Sequence, residues 1–287
     1  MEKNKPTHTD FSSPPSEGLG EASYIEIQIS GPVAHITLNR PERHNALILE
    51  MIVELDQALD EVSGRNDLLF MVLSGNGRSF CAGADLNWFY GSDENNQEEN
   101  AVRYKHLADL LLKLYQLPFI TIACVRGNVF GGGIGLMAAC DFVLAETNTR
   151  FMFSEVKLGL LPATILPFVA KRLSVQNLRK WILTGSLVNA PEAYQAGLVD
   201  VLYEEDQIEK TLSDFMNTFD SAAPSAVKRA KNMINQVTSG AIGVNDTGLA
   251  AVILAEALSS SDGQEGIRAF LEKRKPVWSP SQTLKPL

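Results

Sequence analysis

The chain has 287 residues, 45% of them hydrophobic and 21% charged, with a formal net charge of -9 at pH 7. That length suits one large domain or a domain with an appendage, and the acidic balance argues against a general nucleic-acid binder. No stretch approaches the roughly 18 apolar residues of a membrane helix. The three cysteines, Cys81, Cys124 and Cys140, stand at no metal-like spacing, so reduced, buried thiols in a cytoplasmic protein without a bound metal are expected.

The first 22 residues are polar and lack the apolar core of a secretory signal; residues 1–22 are expected to form a disordered tail. Alternation then begins in SYIEIQISGPVAHITLNR, two β-rich runs joined through Ser30-Gly31-Pro32. Ile48, Met51, Ile52, Leu55, Leu59 and Val62 follow at helical spacing and predict an amphipathic helix ending near Gly64. LLFMVLSG reads as a buried strand, followed by a glycine-bearing loop through GNGRSFCAGADL. EENAVRYKHLADLLLKLYQLP is a helix stopped by Pro118. FITIACVRG is a second buried strand, FGGGIGLMAAC a helix, and DFVLAET a third strand. Strand and helix alternate three times with buried apolar strands, which is an α/β pattern with right-handed crossovers. Beyond about residue 207 only helices are expected, in IEKTLSDFMNTFD, SAVKRAKNMINQV, TGLAAVILAEALSS and QEGIRAFLEKRK. The chain is therefore divided into a core at 23–207 that carries the site and a helical C-terminal domain at 208–287.

Two glycine loops, 75–85 and 127–133, each follow a buried strand. Ligands of open α/β sheets gather at the carboxyl ends of strands, and helix starts expose free N–H donors. One anion or oxyanion site made from both loops, or a plain structural turn, fits this pattern. No GxGxxG, P-loop or nucleophile-elbow motif is present. Glu155 is the only acid between Thr147 and Glu192 and stands among Phe151, Phe153, Val156 and Leu158. It reads either as a buried carboxyl whose pKa burial raises toward acid–base use, or as an exposed strand-edge residue paired with Lys157 or Arg150. Asp85 and Asp141 read as loop braces. His44 reads as a surface histidine or a ligand contact.

Taken in order, NRPERHNAL, SFCAGADL, RGNVFGGGIGLMAACD, FSEVKLGLLP and LTGSLVNAPEAYQAGLVD resemble the crotonase (enoyl-CoA hydratase/isomerase) superfamily from about residue 25 onward. The resemblance implies an α/β fold, a crotonase-like spiral of ββα units with a C-terminal helical trimerisation domain, assembled as a homotrimer or dimer of trimers. It implies an acyl-CoA substrate, as in fatty-acid or branched-chain amino-acid catabolism, with coenzyme A part of the substrate and no separate cofactor. The enolate oxygen would be held by the N–H groups of Ala84 and Gly132. His44, Ala46, Ala82, Asp85, Leu86 and Lys273 would contact the CoA moiety, with Phe270 beside Lys273 toward the acyl pocket. Gly131, Gly135 and Pro162 are further pocket candidates. Asn87 stands where many relatives carry a CoA-directed lysine.

The main departure concerns the acids. Hydratases of this kind carry two glutamates; Gly135 stands at the first position and Glu155 at the second. SEVKLGLLPATILPFV resembles the bacterial methylglutaconyl-CoA and carboxygeranoyl-CoA hydratases, whose substrates bring a carboxylate near the alkene. The expected function is hydration of an α,β-unsaturated enoyl-CoA with Glu155 working alone. The alternatives are an enoyl-CoA isomerase that uses the same glutamate, and a non-catalytic acyl-CoA- or RNA-binding protein of this fold.

Overall fold

A computed structural model describes residues 23–90 and 96–279, so the tail expected at 1–22 lies outside the described residues. In chain order the strands are β1 (Ile25–Ser30), β2 (Val33–Leu38), β3 (Phe70–Gly75), β4 (Ile120–Val125), β5 (Asn128–Phe130), β6 (Phe142–Glu146), β7 (Arg150–Met152), β8 (Val188–Asn189) and β9 (Val201–Tyr203). The helices are α1 (Leu49–Ser63), α2 (Leu86–Tyr90), α3 (Gln97–Gln116), α4 (Gly132–Ala138), α5 (Leu166–Val169), α6 (Val175–Thr184), α7 (Ala190–Gln195), α8 (Ile208–Asn217), α9 (Pro224–Thr238), α10 (Thr247–Ser259) and α11 (Ser261–Leu271).

The main sheet has the order β1-β2-β3-β4-β6-β9. Only the β1–β2 hairpin, turned at Gly31 with φ 54, is antiparallel; every other pairing is parallel. Both faces of β3, β4 and β6 are covered, and that is why these strands read as nearly continuous apolar runs. Along β3, Met71 and Leu73 join the larger core beneath α1 and α3, while Phe70 and Val72 join a second cluster. On that second side Leu212 and Met216 of α8 pack down, and Phe142, Phe215 and Phe219 meet edge to face. The apolar stripe of α1 lies where its spacing predicts, with Met51, Ile52, Leu55, Ala58, Leu59 and Val62 buried.

A second, three-stranded sheet of order β5-β7-β8 was not separable in the sequence. Its strands are two or three residues long, too short for alternation to register. Its function in the fold is alignment. β5 and β7 run parallel with Phe130 opposite Met152, so the chain leaves both strands side by side, into the glycine run on one and toward Glu155 on the other.

After Tyr203 the described residues contain no further strand. α9 is tied to the core by Lys231, which is buried. Its Nζ donates to Phe119 O at 2.8 Å and pairs with Asp141 Oδ2 at 2.6 Å. Asp141 also accepts from Thr121 N–H at 2.8 Å and Thr121 Oγ1 at 3.0 Å. It is a brace between the start of β4 and α9. By contrast, α10 is almost wholly apolar yet has no buried residue, and Leu254 is 71% exposed.

Candidate active site

The two glycine loops meet because their strands deliver them to one place. Cys81 forms a parallel bridge with Val129, Phe80 N–H donates to Arg126 O at 2.9 Å, and Phe130 N–H donates to Cys81 O at 3.0 Å. The glycine run is what lets the loops approach so closely. A Cβ at Gly133 would collide with the Cys81 carbonyl oxygen, and Gly131 takes φ 44, a region that side-chain-bearing residues rarely adopt.

Two amides are left open at this junction. Ala84 bridges to Leu47 through its neighbours' groups, Leu47 N–H to Gly83 O at 2.8 Å and Asp85 N–H to Leu47 O at 2.9 Å. Its own N–H has no acceptor among the described residues. Gly132 opens α4, where first-turn N–H groups lack intrahelical partners. Ile134 and Gly135 both donate to Gly131 O, while Gly132 N–H likewise has no acceptor among the described residues. Leu47 spans both positions, since its Cδ1 lies 2.9 Å from where a Gly132 Cβ would stand.

Glu155 enters from β7. Gly131 N–H donates to Met152 O at 3.1 Å, and the short 3-10 turn Glu155–Leu158 begins three residues on. The carboxylate lies against the glycine run, with Oε1 3.2 Å from the position of a Gly131 Cβ. Oε2 is buried and has no hydrogen-bond partner among the described residues. Burial raises the Glu155 pKa above the ordinary glutamate value, and a bond from its own backbone N–H opposes this only in part. The strand-edge pairing with Arg150 or Lys157 does not form. Glu155 has no ion pair among the described residues, and the Lys157 ammonium lies 3.8 Å from Met152 Sδ. Buried polar atoms are normally satisfied. A carboxyl oxygen left open against the glycine run that carries the open Gly132 amide can exchange a proton with a guest whose oxygen that amide holds.

The residues expected near CoA divide into two groups. His44, Ala46, Ala82, Asp85 and Leu86 lie together on the paired loops. Ala82 N–H donates to His44 O at 3.0 Å, and Leu86 opens α2 as a residue 59% exposed. His44 is exposed, with Nδ1 3.2 Å from Ser79 Oγ. Asp85 is committed internally: Arg40 Nη1 reaches its Oδ2 at 2.9 Å and also donates to Ala46 O at 2.9 Å. Burial disfavours its charge, but the Arg40 and Asn87 hydrogen bonds outweigh that and hold its pKa below the usual value. Phe270 and Lys273 stand apart, exposed on and just past α11, which packs chiefly on α9 and α10.

Two residues absent from the sequence reading organise the loops. Asn45, fully buried with φ 54, accepts from Arg40 N–H at 2.7 Å. It donates to Asn76 O at 2.9 Å and Ser79 O at 2.8 Å. An asparagine between a proline turn and a helix is a known left-handed turn former, so the signal was present. Arg40, inside the same NRPERHNAL segment, is the second.

Gly135, expected among the pocket-lining positions, has its open side filled in the structure. A Cβ there would overlap Ile165 Cγ2 and stand 3.0 Å from Ile165 Cβ and 3.2 Å from Leu111 Cδ1. Pro162, also buried, accepts from Leu166 N–H at 2.9 Å and so anchors the turn that presents Ile165. Alanine in a helix interior ordinarily gains about 0.5–1 kcal/mol over glycine. Gly135→Ala is nevertheless expected to lose about 1–3 kcal/mol by overpacking, seen as a lowered Tm. A raised Tm would mean that Ile165 yields readily.

The geometry has relatives. A family model described as enoyl-CoA hydratase/isomerase matches residues 28–281. A short-chain-enoyl-CoA hydratase of Clostridium acetobutylicum is 32% identical over 263 residues, covering 89% of this chain and 97% of its own. Among solved structures, Pseudomonas aeruginosa AtuE superposes with a TM-score of 0.85 at 32% identity, over 90% of this chain and 100% of that one. An enoyl-CoA hydratase from Shewanella pealeana gives 0.83 at 32% identity, over 89% of this chain and 96% of its own.

Proposed function

The chain belongs to the enoyl-CoA hydratase/isomerase family, and within it we propose that Glu155 is the single acid–base residue of an acyl-CoA hydro-lyase. The observation that carries this reading is the Glu155 carboxylate, with one oxygen buried and without a partner among the described residues, against a glycine run whose Gly132 N–H likewise has no acceptor among them.

In the proposed reaction the thioester oxygen of an enoyl-CoA accepts hydrogen bonds from Ala84 and Gly132. These strengthen as negative charge develops on it, which is where fixed donors accelerate a reaction. Water adds to the β-carbon. Glu155 takes one of its protons and delivers a proton to the α-carbon of the enolate, so that the hydroxyl and the hydrogen of one water end on adjacent carbons. The loop residues His44, Ala46, Ala82, Asp85 and Leu86 line the approach of the CoA moiety, and CoA arrives as part of the substrate. The filled side of Gly135 leaves no room for a second carboxyl there. That same observation favours a second reading, in which Glu155 alone moves a proton between carbons of a β,γ-enoyl-CoA and no water is added.

The exposed apolar helix α10 supports self-association. A homotrimer, or a dimer of trimers, would cover that face and carry Phe270 and Lys273 toward the CoA loops of a neighbouring copy.

Turnover in water enriched in heavy oxygen tests the reaction. Crotonyl-CoA and methylglutaconyl-CoA should lose the absorbance of the conjugated thioester and take up the label. Conversion of a β,γ-enoyl-CoA without label in the product would establish the isomerase reading instead. Binding without turnover of any of these thioesters would make the protein a non-catalytic acyl-CoA binder.

A further inference from the structure

We propose that a second cavity, on the reverse face of the main sheet beneath α8, binds a small zwitterion with an apolar body, of the class of an α-amino acid with an aliphatic or aromatic side chain. The acyl-CoA reaction makes no use of this place.

The cavity measures about 790 Å³, within the range of small-molecule sites. It lies on the side away from the oxyanion loops. Leu47 and Leu107, which stand against Gly132, belong to the larger core under α1 and α3. Val72, Leu212 and Met216 of the cavity wall belong to the second cluster.

The sheet face changes character along its strands. Side chains alternate between faces, so Val33, His35 and Thr37 of β2 point one way, as do Phe70, Val72 and Ser74 of β3. At the amino ends this face is apolar and joins the second cluster through Val33, Phe70 and Ile120. Toward the carboxyl ends it turns polar. Half-buried His35 stands opposite Val72, and Thr37 opposite Ser74, with the two hydroxyl oxygens 3.1 Å apart. A covered sheet face is ordinarily apolar, so polar groups here, where they line a cavity, point to a guest rather than to packing. Burial lowers the His35 pKa, so its ring is neutral near pH 7 and adds no charge.

The charged groups stand at the rim and are sorted by sign. Cys124 and Leu144 pair in the register and both face the second cluster, so Arg126 and Glu146, two residues further on, emerge on the same face. Glu146 pairs in turn with Tyr203. Arg126 and Glu146 form no ion pair with one another; Arg126 Nη2 turns instead to Gly75 O at 3.1 Å. Both act on the Tyr203 hydroxyl: burial, then Cys124 and Glu146, raise its pKa, and Arg126 opposes them. Arg78 joins Arg126 on the β3 side of the rim, and Glu205 and Glu209 join Glu146 on the side of β9 and α8. The sheet order β3-β4-β6-β9 thus sets a cationic half beside an anionic half.

A guanidinium receives a carboxylate in its fork, and a carboxylate receives an ammonium. A guest with one of each at one end, and an apolar body against Val72, Leu212 and Met216, answers both halves of the rim and the wall together. A plain fatty carboxylate would meet three glutamates, and a plain amine two arginines, with no group to answer them.

Isothermal titration calorimetry on the full chain compares L-leucine and L-phenylalanine with isocaproate and isoamylamine, which keep leucine's body but carry one charge each. At least one amino acid should bind about 10-fold or more tightly than either analogue, the gap expected from a charge-assisted hydrogen bond. Arg126→Gln and Glu146→Gln should each weaken amino-acid binding by about 10- to 100-fold. Arg126→Lys should recover part of the loss, and saturating butyryl-CoA should leave binding unchanged. No heat from either amino acid at millimolar concentration would overturn the proposal, as would an analogue that binds as tightly as the amino acids. Unaltered affinity in folded Arg126→Gln and Glu146→Gln, or displacement by butyryl-CoA, would overturn it too. The analogue comparison is made on the wild-type chain, so it decides even where a variant fails to fold.

Discussion

Glu155→Gln is expected to keep the fold and lose about 10²–10⁴-fold in kcat, the range that a positioned acid–base group supplies. The amide is nearly the same size and still fills the space beside Gly131, so substrate affinity should change far less than kcat. Stability gives a second readout with a definite sign. The Glu155 carboxyl is held above its ordinary pKa because burial disfavours the anion. The folded state therefore binds its proton more tightly than the unfolded state does. The stability linked to that proton is fully present below the unfolded pKa and is lost as pH rises through the folded one. At neutral pH the wild-type chain carries the cost of a partly desolvated charge, and glutamine does not. Thermal unfolding near pH 7 should therefore find Glu155→Gln as stable as wild type or more so, with the difference shrinking in acid. A large drop in Tm at neutral pH would mean that Glu155 holds the fold together and would account for lost activity without any proton transfer.

Gly132→Pro is the second large expectation. Gly132 is the first residue of α4, the helical position that best tolerates proline because its N–H has no partner within the helix. The substitution therefore removes the donor itself while leaving the helix able to form. Loss of one oxyanion donor costs about 10²–10³-fold in rate, and kcat/KM should fall by that factor with the far-ultraviolet circular dichroism preserved. Leu47 Cδ1, 2.9 Å from the Cβ position, must shift slightly. Gly132→Ala makes the same demand on Leu47 but keeps the N–H, so it is the control. Rates that fall equally in the alanine and proline variants would trace the loss to crowding rather than to the missing hydrogen bond.

Much of the fold could be read from hydrophobic periodicity because burial is what creates that pattern. α1 shows its stripe because one side meets the sheet, and β4 is apolar but for Thr121 because every residue in it is buried. The small sheet of β5, β7 and β8 left no such trace, and it is the element that sets Glu155 beside Gly131. Glu155 itself stood out as a lone acid in apolar company, but sequence could not choose between burial and a strand-edge ion pair. That choice depends on where Arg150 and Lys157 point, which is a tertiary matter. Ile165 illustrates the same limit. Thirty positions after Gly135 in the chain, it closes the space above that glycine, and no spacing rule connects the two. Asn45 and Arg40 lay within a segment singled out for other reasons. Their hydrogen bonds join loops from distant parts of the chain, so their importance emerges only once those loops are assembled.

The proposed mechanism stands on one event, transfer of a proton between Glu155 and the carbon next to a thioester whose oxygen is held by Ala84 and Gly132. Exchange of the α-hydrogens of butyryl-CoA in deuterium oxide, followed by mass spectrometry, measures that event without water addition or product release. The wild-type chain should incorporate deuterium, and both Glu155→Gln and Gly132→Pro should reduce incorporation to near the uncatalysed level. Undiminished exchange in Glu155→Gln would contradict the account.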